Sequence, residues 1–233
     1  MKKVLNSLLL IGLIILNLFW TTLCIYIFKL LKIDIYSFSN IIQNLIFILI
    51  SIPIIVICYI SYQKSNKKEF TDFIHNFPTY IKDNAKYWGI AFLIMFGTNL
   101  TINLLFKTTN STNQQLIEQS IKTYPLYLYF STVIFAPITE ELIFRKGLSK
   151  VIDNKYGYII ASGLLFGLMH LISATQPIEY LYLISYGGLG IAFAIMYHKT
   201  KNIFVPITFH IIHNLVAFIL TIIWMWGKKW INE

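Results

Sequence analysis

The chain alternates long apolar runs with short polar breaks. Seven runs stand out, at 4–28, 41–62, 88–106, 123–144, 156–171, 178–197 and 202–226. A spanning helix needs about 20 mostly apolar residues, because the hydrocarbon core is about 30 Å thick and each helical residue rises about 1.5 Å. The sixth run carries Gly187, Gly188 and Gly190 at its middle, so the pattern admits either one helix or two short helices meeting there. The expectation is an all-α, polytopic transmembrane helical bundle of seven or eight spans, a single membrane domain overall. Within it, 1–122 supply three spans and an interfacial loop, and 123–233 form a helical core that carries the chemistry.

Two stretches need separate readings. Between the second and third runs, 63–87 are polar, yet Phe70, Phe73, Ile74, Phe77 and Ile81 recur at helical spacing, flanked by Lys67, Lys68 and Lys82. That fits a helix lying in the membrane interface, kinked or broken at Pro78, and fits a solvated loop equally well. The start, Met1-Lys2-Lys3 followed by an uncharged stretch from Val4 to Phe28, resembles a signal peptide. The uncharged stretch far exceeds the 7–15 residues of a signal core, so it reads as a retained first span.

Composition agrees with a membrane solvent: 57% of residues are apolar and 12% charged, against about 25% charged in a soluble domain. The net charge of +9 does not point to nucleic acid, because the basic residues fall in the breaks, where they act as topology determinants and meet anionic headgroups. The N-terminus and the loops after runs two, four and six hold 13 of the 19 basic residues, which places the N-terminus in the cytoplasm. A hairpin at the glycines would exchange Lys199 and Lys201 with Lys228 and Lys229 and leave the count unchanged, so charge does not choose seven spans over eight. The short loops fit a bacterial plasma membrane. Cys24 and Cys58 lie inside apolar runs and read as small core residues, since an apolar site raises a thiol's pKa.

Ionisable residues inside apolar spans are costly and mark function by default. Here they cluster. Glu140, Glu141 and Arg145 lie at the end of the fourth run, His170 in the fifth, and His210 and His213 in the last. Glu141 and Arg145 are four apart and face each other on a helix, so an ion pair there, rather than one to a histidine, is expected. Glu140 points about 100° away and lacks that partner, which suits a general base or acid. With a turn at Asp153-Asn154-Lys155, Glu140 and His170 lie equally far along two antiparallel arms and reach the same depth, provided the helix runs on past Arg145 through Leu148 and Val151. Gly163-x-x-x-Gly167 stands just before His170, where close approach of those arms is needed. His210 and Asn214 share one helix face. Glu140, His170 and His210 are also ligand types that a catalytic zinc uses, and the same set can hold water for a glutamate base without metal. Asn214 can donate to an oxyanion. No H-E-x-x-H, no G-x-S-x-G and no paired aspartates occur in the spans.

In these residues the chain resembles the CPBP family of intramembrane proteases, which comprises the type II CAAX prenyl endopeptidases and bacterial bacteriocin-processing or immunity proteins. The family pattern E-E-x-x-x-R, F-x-x-x-H, H-x-x-x-N appears in order as Glu140-Glu141 to Arg145, Phe166 to His170 and His210 to Asn214. The resemblance covers about 123–226. It implies an all-helical membrane fold, often of eight helices, with a polar cavity; Glu140 as the base that activates water; His170, His210 and Asn214 completing the site; and Glu141 and Arg145 supporting it. His213 has no task in the pattern. Metal stays open, with zinc on Glu140, His170 and His210 as one version and no cofactor as the other. The expected partner is a membrane-associated peptide or protein substrate. The competing reading is a non-catalytic membrane protein that confers bacteriocin self-immunity or scaffolds a partner.

Overall fold

The computed structural model of the protein describes residues 1–107 and 111–232. Residues 108–110, Glu233 and the side chains of 228–232, including Lys228 and Lys229 of the charge count, lie outside the described residues. Among the described residues all regular structure is helical. The long elements are α1 (Lys2–Leu30), α2 (Asn40–Ser61), α3 (Gln63–Phe106), α4 (Thr112–Thr123) and α5 (Pro125–Gly147). They are followed by α6 (Lys155–Met169), α7 (Tyr182–Thr200) behind a 3₁₀ turn at Pro177–Leu181, and α8 (Phe204–Asn232). The protein is an all-α, polytopic integral membrane protein. Among the described residues six helical segments are long and apolar enough to cross a bilayer, namely α1, α2, α3, α5, Pro177–Thr200 and Phe204–Gly227. Their outward faces are apolar, as lipid requires: Leu5, Leu8, Ile11, Ile15 and Phe19 on α1 are all exposed.

Three expectations change. The fifth run forms only 15 helical residues, about 22 Å, and stops at His170. The glycine-rich sixth run is one unbroken helix, so no hairpin forms there. The stretch 63–87 is neither a separate surface helix nor a loop. It is the first half of the 44-residue α3, which runs on through Pro78 for about 66 Å, twice the hydrocarbon thickness.

Tertiary contacts hold that extension. Phe73 is buried, and Phe70 and Phe73 pack on Phe204 with centroids 5.2 and 6.0 Å apart. Asn202 Nδ2 donates to the Glu69 carbonyl (2.6 Å) and to Asp72 (2.9 Å), and the Ile203 N–H donates to Glu69 Oε2 (2.8 Å). Lys146, fully buried, donates to Glu69 Oε1 at 2.7 Å. At the same end Lys3 pairs with Asp153, and Asn6 donates to the Lys150 carbonyl. The N-terminus and the α2–α3, α5–α6 and α7–α8 connections therefore gather at one end, the grouping that the basic residues predict.

Helix approach is set by glycines. Gly163 and Gly167 of α6 face Gly187 and Gly190 of α7: a Cβ on Gly163 would lie 3.0 Å from the Gly187 carbonyl, and one on Gly190 3.0 Å from the Gly163 Cα. The G-x-x-x-G pair thus seats α6 against α7, not against α5 as its position suggests. The α5 arm meets α6 through another contact, Ser162 Oγ donating to the Phe144 carbonyl at 2.8 Å.

Substitution at this interface tests the packing. Gly163→Ala should destabilise the protein by about 1–3 kcal/mol, because a Cβ there would strike the Ile191 side chain and the backbone of Gly187 and Ile191, which cannot swing away. Gly12→Ala, where a Cβ meets nothing within 4 Å, should leave stability unchanged or slightly raised. Thermal unfolding of the purified protein compares the two, and equal melting would contradict the packing account.

Candidate active site

The fourth span departs from α-helix twice, and both departures shape the site. Residues Phe130–Phe135 and Leu142–Gly147 are π-helical. Pro137 explains the first. The Ala136 N–H already reaches back five residues, to the Ser131 carbonyl. The next donor in that register would be residue 137, but proline has no N–H. The Thr132 carbonyl is thereby left free, and Asn214 of α8 donates to it from Nδ2 at 2.7 Å. An irregularity in α5 thus fixes the side chain of Asn214. π-Turns of this kind frequently occur at functional sites.

The second irregular turn carries Arg145. Glu141 and Arg145 have no solvent exposure, with Arg145 Nε 2.9 Å from Glu141 Oε2. The Arg145 guanidinium lies over the Phe166 ring at 4.5 Å and the Phe193 ring at 5.5 Å, so apolar faces and a carboxylate share its charge. The Arg145 nitrogens have no hydrogen-bond partner of good angle among the described residues, so proximity of charge holds the pair. The expected exclusion of histidine fails here. Glu141 Oε1 also lies 2.9 Å from His210 Nδ1. A carboxylate has two oxygens, and helix spacing accounts for the partner of only one.

That bond assigns the ring. A carboxylate accepts, so His210 Nδ1 carries a proton, and in the neutral ring Nε2 is then the nitrogen with the lone pair. Nε2 lies 4.0 Å from Glu140 Oε2. His170 is oriented the same way, with Nδ1 donating to the Phe166 carbonyl at 2.9 Å. Its ring stacks on Tyr186 at 4.7 Å and packs on Phe166 at 4.6 Å. Glu140, His170, His210 and Asn214, together with His213, line one cavity of about 270 Å³. The helix after Arg145 ends near Ser149, earlier than the continuous arm expected, yet Glu140 and His170 still reach the same space.

The sequence reading missed several contributors. Thr132 and Pro137 were legible as a proline five residues past a threonine inside a span. Lys146 counts in the sequence only as a topology charge, and nothing local predicts its burial against Glu69. Glu179 likewise carries no local signal. It accepts from the Thr112, Thr175 and Gln176 N–H groups at 2.6, 2.9 and 3.1 Å, and so pins the start of α4 beside the turn after α6.

The zinc set considered from sequence can be tested against this geometry. Two tetrahedral ligands about 2.0–2.1 Å from a zinc ion lie roughly 3.4 Å apart. His210 Nε2 and Glu140 Oε2 are farther apart than that. Among the described residues no three His, Cys, Asp or Glu side chains form a metal-holding group. Glu140, His170 and His210 as arranged do not fit the ion.

Comparison with known proteins bears on the same segment. Residues 122–216, which contain all seven motif residues, match the family model described as Type II CAAX prenyl endopeptidase Rce1-like. The chain is 30% identical over 142 residues to the Bacillus subtilis (strain 168) protein named "Putative membrane peptidase YdiL", covering 57% of this chain and 55% of that one. It is 22% identical over 138 residues to UPF0177 protein YvdC of Lactococcus lactis subsp. lactis (strain IL1403), covering 58% and 51%. It is 30% identical over 92 residues to Membrane-embedded CAAX protease MroQ of Staphylococcus aureus (strain USA300), covering 39% and 37%. The chain thus spans about half, or less, of the length of these relatives. No solved structure matches.

The buried pair yields a stability test. Arg145→Ala leaves the Glu141 carboxylate facing only His210 in a dry interior, and the folded protein should lose about 3–5 kcal/mol. Quantifying membrane-inserted, protease-resistant protein checks this. Normal accumulation with activity alone lost would assign Arg145 to substrate or chemistry instead.

Proposed function

We propose that this chain, whose residues 122–216 belong to the Rce1-like family of type II CAAX prenyl endopeptidases, hydrolyses a peptide bond of a membrane-associated peptide or protein. One observation carries the reading. Glu140 Oε2 and the lone pair of His210 Nε2 face each other across 4.0 Å in a cavity that His170 and Asn214 also line. Two acceptors at that separation both reach a single water molecule at about 2.8 Å each. The water donates one hydrogen to each, which leaves its own lone pairs for attack.

In this mechanism the water oxygen bonds to the substrate carbonyl carbon while Glu140 takes the proton. The carbonyl oxygen becomes an oxyanion. A neutral histidine whose Nδ1 proton is already committed offers only a lone pair at Nε2, so His170 and His210 hold water rather than stabilise the oxyanion. Asn214 spends one amide hydrogen on Thr132 and has a second for the oxyanion. Collapse of the intermediate breaks the C–N bond, and Glu140 returns its proton to the leaving nitrogen. Glu141 and Arg145 act through His210, by fixing its ring.

We read 1–122 as the part that encloses the site and 123–233 as the catalytic core. The end where the basic residues gather is assigned to the cytoplasm of a bacterial plasma membrane. The relative named as a membrane-embedded CAAX protease supports the same reaction class.

Glu140→Gln should lower turnover by about 10²–10⁴-fold while the protein still accumulates in the membrane and melts normally. Asn214→Ala should lower it by about 10²–10³-fold. A Glu140→Gln variant with the full phenotype of the parent would favour the non-catalytic immunity or scaffolding reading instead. Chelation provides a separate test of the base. Activity should survive it, and loss that stoichiometric zinc restores would replace glutamate-activated water by a metal-dependent route.

A further inference from the structure

His170 enters the proposed mechanism as a nitrogen that holds water, yet its backbone lies just past the end of α6. Its N–H has left the α-helical register and reaches the Gly167 carbonyl, three residues back, at 3.2 Å. The Nδ1 bond to the Phe166 carbonyl fixes one atom of the ring. One bond leaves the ring free to tilt about it, and a tilt carries Nε2 away from the water that it must hold. A flat surface laid against the ring face removes that freedom. Tyr186 supplies one: the two rings stack with centroids 4.7 Å apart and planes 22° from parallel.

Tyr186 is itself held at both ends. On its backbone side, the neighbouring Gly187 lies against α6, where a Cβ on Gly167 would come within 3.0 Å of the Gly187 nitrogen. Ser185, on the other side, donates from Oγ to Asn99 of α3 at 2.8 Å. At the far end of the ring, the Tyr186 hydroxyl lies 3.1 Å from Ser111 Oγ and accepts from Asn113 Nδ2 at 3.5 Å. Ser111 is buried and caps α4, accepting from the Gln114 N–H at 3.3 Å. Its neighbour Thr112 is bound to Glu179 through both its N–H and its hydroxyl, at 2.6 and 2.8 Å. Asn113, Gln114 and Ile117 of α4 line the same cavity as Glu140 and His170. The phenol thus bridges from the anchored start of α4 to the face of His170.

We infer that Tyr186 is the positioning residue for His170: its ring fixes the plane of the imidazole, so that Nε2 stays turned to the attacking water, and its hydroxyl, anchored at the start of α4, fixes the ring. This rests on the peptidase reading above. Tyr186 acts through His170 and not on the reacting atoms. A side chain that only filled space could be exchanged for another of similar bulk, whereas a positioning ring can be exchanged only for another flat ring.

The test uses the full chain in lipid nanodiscs with a library of quenched-fluorescence peptides whose uncharged cores combine Leu, Phe, Ala and Ser, and Glu140→Gln as the blank. Tyr186→Leu keeps apolar bulk and loses the flat face. It should lower kcat about tenfold to a hundredfold, with KM within about threefold of the parent. Tyr186→Phe keeps the ring and loses the anchor, and kcat should fall only about twofold to fivefold. Ser111→Ala reaches the ring through its anchor alone. It should cost about as much as Tyr186→Phe and add nothing when the two are combined, which keeps the test open if Tyr186→Leu fails to fold. NMR of ¹⁵N-histidine protein, with His170 assigned by His170→Gln, gives a readout independent of turnover. The His170 signal should be single in the parent and in Tyr186→Phe, and split or broadened by ring motion in Tyr186→Leu. A folded Tyr186→Leu protein with parental kcat, a loss confined to KM, full additivity of Ser111→Ala with Tyr186→Phe, or a His170 signal unchanged by Tyr186→Leu overturns this inference and leaves the peptidase reading intact. Absence of any Glu140-dependent cleavage removes that reading and this inference together.

Discussion

The Glu141 carboxylate, sealed from water inside a membrane protein, holds two helices and one reactive ring in place. One oxygen meets Arg145 on its own helix, and the other meets His210 on α8, 69 residues away. A lone anion there would be prohibitive, and a lone guanidinium equally so. Together, with Phe166 and Phe193 flanking the cation, they form a unit that exists only when α5, α6, α7 and α8 are assembled. The site geometry follows from that unit. Because Glu141 accepts the hydrogen bond from His210 Nδ1, Nε2 is the ring nitrogen left facing Glu140.

The rest of the fold serves to keep these helices in register. Backbone contact between the glycines of α6 and α7 sets their spacing and leaves Phe166 pressed against the Arg145 side chain. At one end, Lys146, Glu69 and Asn202 bind the extension of α3 to α5 and to the α7–α8 turn. At the other, Glu179 gathers the N–H groups that start α4 and close the turn after α6. Two charged clusters, one near each end of the bundle, thus flank a middle in which Glu140 is the carboxylate turned toward an open cavity. Such a division matches the proposed roles, Glu140 as the reactive carboxylate and Glu141 as the structural one.

Much of this was legible in the sequence, because a few ionisable residues in long apolar runs cannot hide. Glu140, His170 and His210 could be singled out by that contrast, and helix spacing paired Glu141 with Arg145 and placed Asn214 on the face of His210. What escaped depends on contacts across the fold. Pro78 looks like a break, since local pattern cannot see that Asn202 and Phe204 grip the helix on both sides of Glu69 and Phe73. The glycine pair on α6 announces a close approach but not its partner, which is fixed by the matching glycines on α7. The second bond of Glu141 was invisible because a carboxylate's spare oxygen has no sequence periodicity. The π-turn at Phe130–Phe135 follows from a missing N–H at Pro137, a local cause whose consequence, the capture of Asn214, lies on another helix.

The most direct test of this account is the protonation of one ring. Protein labelled with ¹⁵N-histidine, compared with a His210→Gln sample to assign the signal, reports by NMR which nitrogen of His210 carries the proton. If Glu141 sets the site, His210 carries a proton on Nδ1. A His210 protonated at Nε2 alone would contradict the account, because that nitrogen would then donate toward Glu140 and the Glu141 carboxylate would face a lone pair.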